Sequence, residues 1–259
     1  LITLTERQKQ FGMIGIKSEF ESEGVRHNEF IIVNSLTRKL GLMSILKIGG
    51  AEAKSDMAFA LDNMCEYIVA PMIESAYAAK KCVDAFAEIS SKPHLLKPKL
   101  LINIETISAL NNIDYIIDSI APVASGIVFG RVDFTLSSGL NRSDIQSSVV
   151  SESVLRVSQL CKESDLEFVL GGGISIDSLD LLRSLLKVRL DRFETRKCVM
   201  DARSLESNEV HTLLQDCVKF ELLWLKFKSS IYSAYSSEDL SRISMLEQRH
   251  LYNISTCNE

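Results

Sequence analysis

Short apolar runs alternate with longer amphipathic stretches along most of this chain. The runs have the length of buried strands, and the stretches between them carry apolar residues at the spacing of one helix face. This order predicts repeated βα units and a parallel sheet. We expect seven strands, one fewer than a closed (β/α)8 TIM barrel requires, at Met13–Phe20, Leu42–Ile48, Tyr67–Pro71, Leu100–Glu105, Gly126–Asp133, Phe168–Gly172 and Arg192–Met200.

The pattern changes near Leu205, where apolar residues cover most of a long stretch compatible with helix. Residues 205–235 predict one helix, and residues 237–252 predict a second, capped by Ser236 or Ser237. So much apolar helix beyond a barrel needs a place to be buried. It either completes the barrel or forms a contact between copies of the chain.

Composition is that of an ordinary globular protein. The 259 residues are 46% hydrophobic and 24% charged, which is enough for a substantial core. One α/β barrel fits this length, so we assign 1–204 to a barrel domain and 205–259 to C-terminal helices of the same unit. The net charge of −5 argues against a nucleic-acid partner, because the phosphate backbone requires a basic surface.

Cysteine and histidine usage points away from disulfides and zinc. The six cysteines contain no CxxC pair, and the four histidines show no HExxH spacing. We expect reduced thiols and therefore a cytoplasmic protein. No apolar run of about 18 residues predicts a membrane span, and the N-terminal segment does not resemble a signal peptide.

Two carboxylates, Glu105 and Asp133, end two strongly apolar runs. If these runs are neighbouring parallel strands, both acids converge on the face where α/β barrels carry out chemistry. Hard anionic oxygens on rigid strands describe a Mg²⁺ or Mn²⁺ site that leaves coordination positions open for a substrate.

Glycines follow several of the expected strands, where a ligand could approach the backbone. Gly49 and Gly50 follow the second strand, and Gly172 lies in a glycine triplet after the sixth. Their amides either cradle an anionic substrate or simply turn the chain. Glu52 is a further candidate for substrate binding, although an acid at a helix start is favourable without any such role.

Four motifs stand in order along the chain, each close to the end of an expected strand. Together they resemble the HpcH/HpaI aldolase and citrate lyase β-subunit family over roughly residues 13–200. The motifs are Lys47-Ile-Gly-Gly-Ala-Glu-Ala53, Val69-Ala-Pro-Met-Ile-Glu-Ser-Ala-Tyr77, Asn103-Ile-Glu-Thr106 and Gly130-Arg-Val-Asp-Phe-Thr-Leu-Ser137.

The resemblance implies a modified TIM barrel that makes or breaks a carbon–carbon bond beside a 2-oxo acid or acyl unit. It implies that Glu105 and Asp133 bind a divalent metal, and that copies assemble as a homo-oligomer through exchanged C-terminal helices. It also aligns Met13–Phe20 with the family's second strand, so that the first is degenerate, absent or replaced.

Two positions depart from the aldolases of this family. Lys47 stands where the resemblance places an arginine, and it lacks the planar two-pronged donor geometry of that residue. Glu19-Phe20 stands where the aldolases carry a Glu-His pair, so the usual base is missing. We predict that Glu19 or Glu21 takes the acid–base role, assisted by Lys17 or Lys47. The alternative is a structural salt-bridge cluster at the rim of the barrel.

Arg131 precedes Asp133 by two residues and should share its side of a strand. There it would hold a substrate carboxylate or phosphate, or else neutralise Asp133. In the last predicted strand, either Glu194 or Arg196 completes the site, or buried ion pairs between strands account for both.

These observations predict a metal-dependent carbon–carbon lyase of the aldolase type, acting on a 2-oxo acid or hydroxy-acid derivative through a metal-stabilised enolate. A citramalyl- or malyl-CoA-type thioester lyase is one alternative. Another is a catalytically silent barrel that serves as a scaffold or ligand sensor, which the substituted arginine and histidine favour. Metal-dependent turnover of an oxo acid would separate the enzyme from the silent barrel.

Overall fold

The computed structural model describes residues 1–121 and 123–256, which form a closed eight-stranded barrel surrounded by helices. Neighbours in the barrel are also neighbours in the chain, and the last strand pairs with the first. The predicted barrel is therefore confirmed. The strands are β1 (Met13–Glu19), β2 (Met43–Lys47), β3 (Tyr67–Ala70), β4 (Lys99–Ile104), β5 (Gly126–Gly130), β6 (Glu167–Gly171), β7 (Arg192–Glu194) and β8 (Cys198–Asp201).

Helices connect the strands and cover the outside of the barrel. Short 3₁₀ turns lie at Arg142–Gln146, Ile176–Ser178 and Ala202–Glu206. None of the helices in the described ranges is long and apolar enough to cross a membrane. The α-helices are α1 (Ile2–Gln10), α2 (His27–Lys39), α3 (Lys54–Asp62), α4 (Ala76–Ser90), α5 (Ile107–Asn111), α6 (Ile113–Ile120), α7 (Arg131–Ser137), α8 (Ser148–Glu163), α9 (Leu179–Leu186) and α10 (Val210–Thr256).

The predicted strand Arg192–Met200 is wrong, because the chain reverses within it. Residues 195–197 form a tight turn in which the Thr195 N–H donates to the Cys198 carbonyl at 2.9 Å and the Cys198 N–H donates to Thr195 Oγ1 at 3.1 Å. Strand β8 is antiparallel to both β7 and β1, whereas the other neighbours are parallel. The eighth place in the barrel is thus filled by a returning strand.

The expected strand Gly126–Asp133 is three residues too long. Strand β5 ends at Gly130, and Arg131 opens α7, so Asp133 lies in the first turn of a helix. An acid in that position is favoured by the unpaired N–H groups and the dipole of the helix. Glu105 likewise follows the last residue of β4 directly.

The two predicted C-terminal helices form one, α10, and the predicted caps at Ser236 and Ser237 are wrong. Both serines lie inside the helix. No proline or glycine occurs between residues 210 and 256, so the sequence contains no strong helix breaker at that point. The first turns of α10 are buried on the barrel through Leu213, Cys217, Phe220 and Trp224. Residues 257–259 of the predicted helical region lie outside the described residues.

Three layers of side chains fill the interior of the barrel. The middle layer is apolar and consists of Ile45, Val69, Leu101, Val128, Val169 and Val199. Because side chains alternate along each strand, inward-facing positions recur at every second residue, and polar groups occupy such positions below and above the middle layer. At the first residues of the strands they form the lower layer, Tyr67, Lys99, Glu167 and Arg192. At the C-terminal ends they form the upper layer, Lys17, Glu19, Lys47, Asn103, Glu105 and Glu194.

Candidate active site

The upper layer surrounds a cavity of about 90 Å³ at the C-terminal ends of the strands, which we call the inner cavity. This is the face on which barrels of this type carry their active sites. The structure brings six of the predicted site residues together around it. They are Lys17, Glu19, Lys47, Glu105, Asp133 and Gly172.

Lys17 is held between two carboxylates. Its Nζ lies 2.8 Å from Glu19 Oε1 and 2.5 Å from Glu194 Oε1. Burial alone would lower the pKa of Lys17, but the two carboxylates more than offset burial and raise the pKa above its usual value. Lys17 is therefore charged and already paired, which leaves it little capacity to bind a substrate anion. Glu194 forms one of the predicted ion pairs between strands, whereas Arg196 does not line this cavity and pairs with Glu23.

Glu19 is a poor proton acceptor in this arrangement. Burial would raise the pKa of its carboxyl, but Lys17, a hydrogen bond from the Ser22 hydroxyl and the charge of Lys47 lower the pKa to about 2. A carboxylate with so low a pKa gains little by taking a proton near neutral pH. Of the two predicted bases, Glu19 is therefore disfavoured.

Lys47 bridges the inner cavity and the solvent-facing rim. Its Nζ lies 3.1 Å from Glu105 Oε2 and 3.0 Å from Glu21 Oε2. Burial would lower the pKa of Lys47, but the charges of Glu105, Glu19 and Glu21 raise it. Glu21 itself does not line the inner cavity; its side chain keeps 30% of its surface exposed and is linked to the cavity through Lys47.

Glu105 has partners that fix its carboxylate in the cavity. Asn103 Nδ2 donates to Oε2 at 2.5 Å, and the Met72 N–H donates to Oε1 at 3.0 Å. Burial and the nearby charge of Asp133 raise the pKa of Glu105, although Lys47 and the Met72 N–H act in the opposite direction. A carboxyl group whose pKa is raised in this way is stabilised as an anion when additional positive charge binds next to it.

Met72 has a backbone conformation that the sequence did not predict. Its φ is 53°, in the left-handed region that residues with a side chain rarely adopt. That conformation directs the Met72 N–H at Glu105, so local strain is used to orient a site carboxylate. The sequence offered only the preceding Pro71 as a sign of an unusual turn. Asn103 had a clearer signal, a polar residue inside an apolar strand.

The oxygen atoms around the inner cavity fit a hard divalent cation. Asn103 Oδ1 is buried and accepts no hydrogen bond from any residue in the described part of the chain. Glu105 and Asp133 line the same cavity, and Asp133 is exposed at its mouth. No three His, Cys, Asp or Glu side chains within the described ranges are grouped as metal ligands. Two carboxylates and one amide oxygen match Mg²⁺, which binds few protein ligands and keeps several waters.

Two glycines make room for the acids. A Cβ on Gly130 would lie 2.9 Å from the Cβ of Glu105, and a Cβ on Gly171 would lie 3.0 Å from Glu194 Oε1. Any side chain at either position would displace a carboxylate of the upper layer. These glycines therefore set the width of the inner cavity.

Arg131 does not reach the cavity, and the expectation that it shares one face with Asp133 is wrong. Both residues lie in the first turn of α7, where a separation of two positions places them about 200° apart. The fully buried guanidinium donates to the carbonyl oxygens of Gly172 and Gly173, at 3.1 Å each, and to Ser178 Oγ at 3.0 Å. Burial lowers the pKa of Arg131 to about 10.

Three other predicted substrate-binding residues also lie away from the inner cavity. The Gly49 N–H donates to Asp56 Oδ2 at 2.8 Å, and Gly50 has open space around it. Glu52 forms an exposed ion pair with Lys81 at 2.9 Å. Gly172 differs, because it lines the cavity with a φ of 81°.

The inner cavity carries an excess of negative charge. Lys17 and Lys47 face the carboxylates of Glu19, Glu105, Glu194 and Asp133, and Glu21 adds a fifth on Lys47. Each lysine is shared between at least two of them. Added positive charge would relieve this repulsion, and a metal ion with a bound acid would supply it.

Comparison with known proteins confirms the resemblance stated above. The HpcH/HpaI aldolase/citrate lyase family model matches residues 48–172, which include Glu105 and Asp133. No curated protein matches the chain.

Solved structures of HpcH/HpaI aldolases and of a citrate synthase share the fold of this chain. An HpcH/HpaI aldolase from Desulfitobacterium hafniense has a TM-score of 0.60 and 14% identity, covering 74% of this chain and 81% of its own. An HpcH/HpaI aldolase/citrate lyase family protein from Burkholderia cenocepacia has a TM-score of 0.61 and 14% identity, covering 83% and 90%. The citrate synthase SbnG has a TM-score of 0.57 and 15% identity, covering 85% and 91%.

Proposed function

We propose that this chain, which resembles the HpcH/HpaI aldolases and citrate lyases over residues 48–172, is a metal-dependent carbon–carbon lyase of the aldolase type. Its substrate is a 2-oxo acid or a hydroxy-acid derivative. The family match supports aldolase-type chemistry in general. The observation that carries the finer proposal is the pairing of Glu105 and Asp133 around one cavity with excess negative charge.

Mg²⁺ or Mn²⁺ is the proposed cofactor. Glu105 and Asp133 would hold it, and the unpartnered Asn103 Oδ1 offers a further oxygen. When bound, such an ion supplies positive charge that stabilises an enolate oxygen beside the bond that breaks. The small protein ligand set leaves room for the carboxylate and 2-oxo oxygens of a substrate.

The side chains around the cavity, together with Glu21 bound to Lys47, then have defined tasks. In a retro-aldol cleavage, Glu21 accepts the proton of the substrate hydroxyl, the carbon–carbon bond breaks to release an aldehyde or ketone, and its electron pair forms the enolate. Transfer of that proton from Glu21 to the enolate carbon completes the 2-oxo acid. Lys47, held beside Glu105 and Glu21, contributes fixed positive charge, and Lys17 keeps Glu19 and Glu194 in place.

Assembly and location form part of the same proposal. Helix α10 exposes Val218, Leu222, Leu225, Leu240, Ile243 and Leu246, an apolar surface that supports a homo-oligomer formed through the C-terminal helix. Cys65, Cys82, Cys161, Cys198 and Cys217 are buried free thiols, which supports a reducing, cytoplasmic location.

Calorimetry tests the metal site without requiring the true substrate. We expect Mg²⁺ or Mn²⁺ to bind the native protein, to bind more tightly with pyruvate present, and to bind neither Glu105→Gln nor Asp133→Asn. Glu52→Gln is the matched control, since Glu52 is paired with Lys81 away from the cavity. Equal metal binding by the native protein and both site variants would refute the proposal.

The silent barrel is the second candidate, and one contact favours it. The Lys47 ammonium lies 3.1 Å from Glu105 Oε2, so it occupies a carboxylate that a metal would need. A silent barrel predicts that a 2-oxo acid binds without any cleavage or condensation, with or without metal. Turnover that requires both the metal and Glu105 would exclude it.

A further inference from the structure

A second cavity, which we call the outer chamber, adjoins the inner cavity at the top of the barrel. It has a volume of about 260 Å³, and it shares Lys17, Glu19 and Asp133 with the inner cavity. A molecule seated on the proposed metal site can therefore extend into the chamber. The outer chamber is also lined by Arg142, Thr195 and Arg196, none of which lines the inner cavity.

The two arginines of the outer chamber have donors to spare. Arg142 makes no hydrogen bond or ion pair with its side chain to any residue that the structure describes. Arg196 uses only Nε, which donates to Glu23 Oε1 at 3.1 Å, and its two terminal nitrogens have no acceptor in the described ranges. Planar guanidinium groups with free N–H donors are suited to carboxylate and phosphate oxygens.

Glu23 does not neutralise this end of the site. Its other carboxylate oxygen is bound by Lys197, so one acid serves both Arg196 and Lys197. The lining of the outer chamber itself has three cations, Lys17, Arg142 and Arg196, and two acids, Glu19 and Asp133, so positive charge is in excess there. The inner cavity has the opposite imbalance. The site therefore has one end that favours a cation and one that favours an anion.

Arg131 holds the wall of the outer chamber in place. Its guanidinium binds the carbonyl oxygens of Gly172 and Gly173, which line the chamber. It also donates to Gln146 Oε1 at 3.3 Å, at the end of the 3₁₀ turn that begins with Arg142. Two loops that border the chamber are thus tied to one buried side chain.

We propose that the substrate carries a second anionic group, a carboxylate or a phosphate, and that Arg142 and Arg196 bind it in the outer chamber. This inference rests on the proposed function, because it takes the first carboxylate to lie at the metal site. It narrows the substrate class to 2-oxo or hydroxy acids that are charged at both ends. An acid with an apolar tail would leave both guanidinium groups without a partner.

Three 2-oxo acids with similar backbones test the inference in calorimetric titrations with Mg²⁺ present. They are 2-oxopentanoate, 2-oxoglutarate, which adds a terminal carboxylate, and 2-oxo-4-phosphonobutanoate, which ends in a phosphonate. We expect the native protein to bind at least one of the two doubly charged acids about tenfold or more tightly than 2-oxopentanoate. The tighter of the two identifies the natural anion as carboxylate or phosphate.

The double variant Arg142→Gln/Arg196→Gln should bind all three acids with similar affinity. Its affinity for 2-oxopentanoate should equal that of the native protein. Arg183→Gln, an exposed arginine on α9 that lines neither cavity, should retain the native preference. The inference is overturned if the native protein shows no preference, or if the double variant keeps it. If 2-oxopentanoate binds and Glu105→Gln abolishes that binding, the proposed function survives either result. Failure of all three acids to bind overturns both.

Discussion

Two charged layers border the same apolar layer inside the barrel, and they differ in how their charges are paired. In the lower layer, Glu167 binds Arg192 at 2.5 Å and Lys99 at 2.7 Å, and the Arg192 guanidinium lies 4.4 Å from the centre of the Tyr67 ring. Its one acid thus has two cations. In the upper layer, two lysines are shared among several acids. A satisfied cluster is sufficient for stability, whereas an unsatisfied one indicates a ligand.

Backbone strain and unpaired polar atoms show the same difference. Of the buried polar side-chain atoms that lack a partner in the described part of the chain, Asn103 Oδ1 is the one that belongs to either layer. The left-handed Met72 also contacts the upper layer, through Glu105. The upper layer therefore contains an unpaired polar atom and a strained backbone contact, and the lower layer contains neither among the described residues. We attribute these two unfavourable features to function.

The largest expected effect separates the two layers by activity. Glu105→Gln should lower kcat for cleavage of a 4-hydroxy-2-oxo acid by about 10²- to 10³-fold or more, because it removes a proposed ligand of the metal that stabilises the enolate. Glu167→Gln, the matched change in the lower layer, should leave kcat within about twofold. Steady-state assays at a Mg²⁺ concentration that saturates the native protein measure both. A similar loss in the two variants would show that the upper layer acts only through stability.

Next in size is the pH-dependent stability supplied by Glu19. Its pKa is lowered from 4.5 to about 2, so its ionised form favours the folded state by about 3 kcal/mol at neutral pH. That contribution is complete above pH 4.5 and is lost as the pH falls from 4.5 toward 2. Urea unfolding of native protein and Glu19→Gln between pH 7 and 3 should show the difference shrinking at the acid end. A difference that is constant with pH would contradict the pairing with Lys17.

The sequence predicted that Glu105 and Asp133 lie together at the C-terminal ends of the strands, because each stands at the end of an apolar run in a motif with a fixed local order. Contacts between distant segments left no such signal. Lys17 and Glu194 are 177 positions apart, and their pairing depends on β8 returning against the other strands. Four consecutive polar residues, Glu194-Thr-Arg-Lys197, interrupt the apolar pattern of residues 192–200, and they are the local sign of the turn that a single strand over this range overlooks. Arg131 was misplaced because the end of β5 was set three residues late.

A smaller effect is expected from the lower layer, on stability alone. Glu167→Gln leaves Arg192, which is 9% exposed, without its carboxylate, and should cost about 2 kcal/mol. Chemical unfolding near pH 7 measures it. The control is Glu52→Gln, which breaks an exposed ion pair and should change stability little. If the two variants unfold alike, the lower layer is not the structural cluster described here.

The smallest effect concerns the space for Glu105. In Gly130→Ala, the new methyl group would lie 2.9 Å from the Glu105 Cβ and 3.0 Å from its Oε2, and the carboxylate must shift. We expect Mg²⁺ affinity to fall by about tenfold, the size of a ligand displaced by a fraction of an ångström. Gly50→Ala is the control, because nothing lies within 4 Å of its added Cβ. If Gly130→Ala binds the metal as tightly as Gly50→Ala, Glu105 is either mobile enough to adjust or not a ligand. Adding Glu105→Gln to each variant decides between these. This substitution lowers the Mg²⁺ affinity if Glu105 is a ligand and leaves the affinity unchanged if it is not.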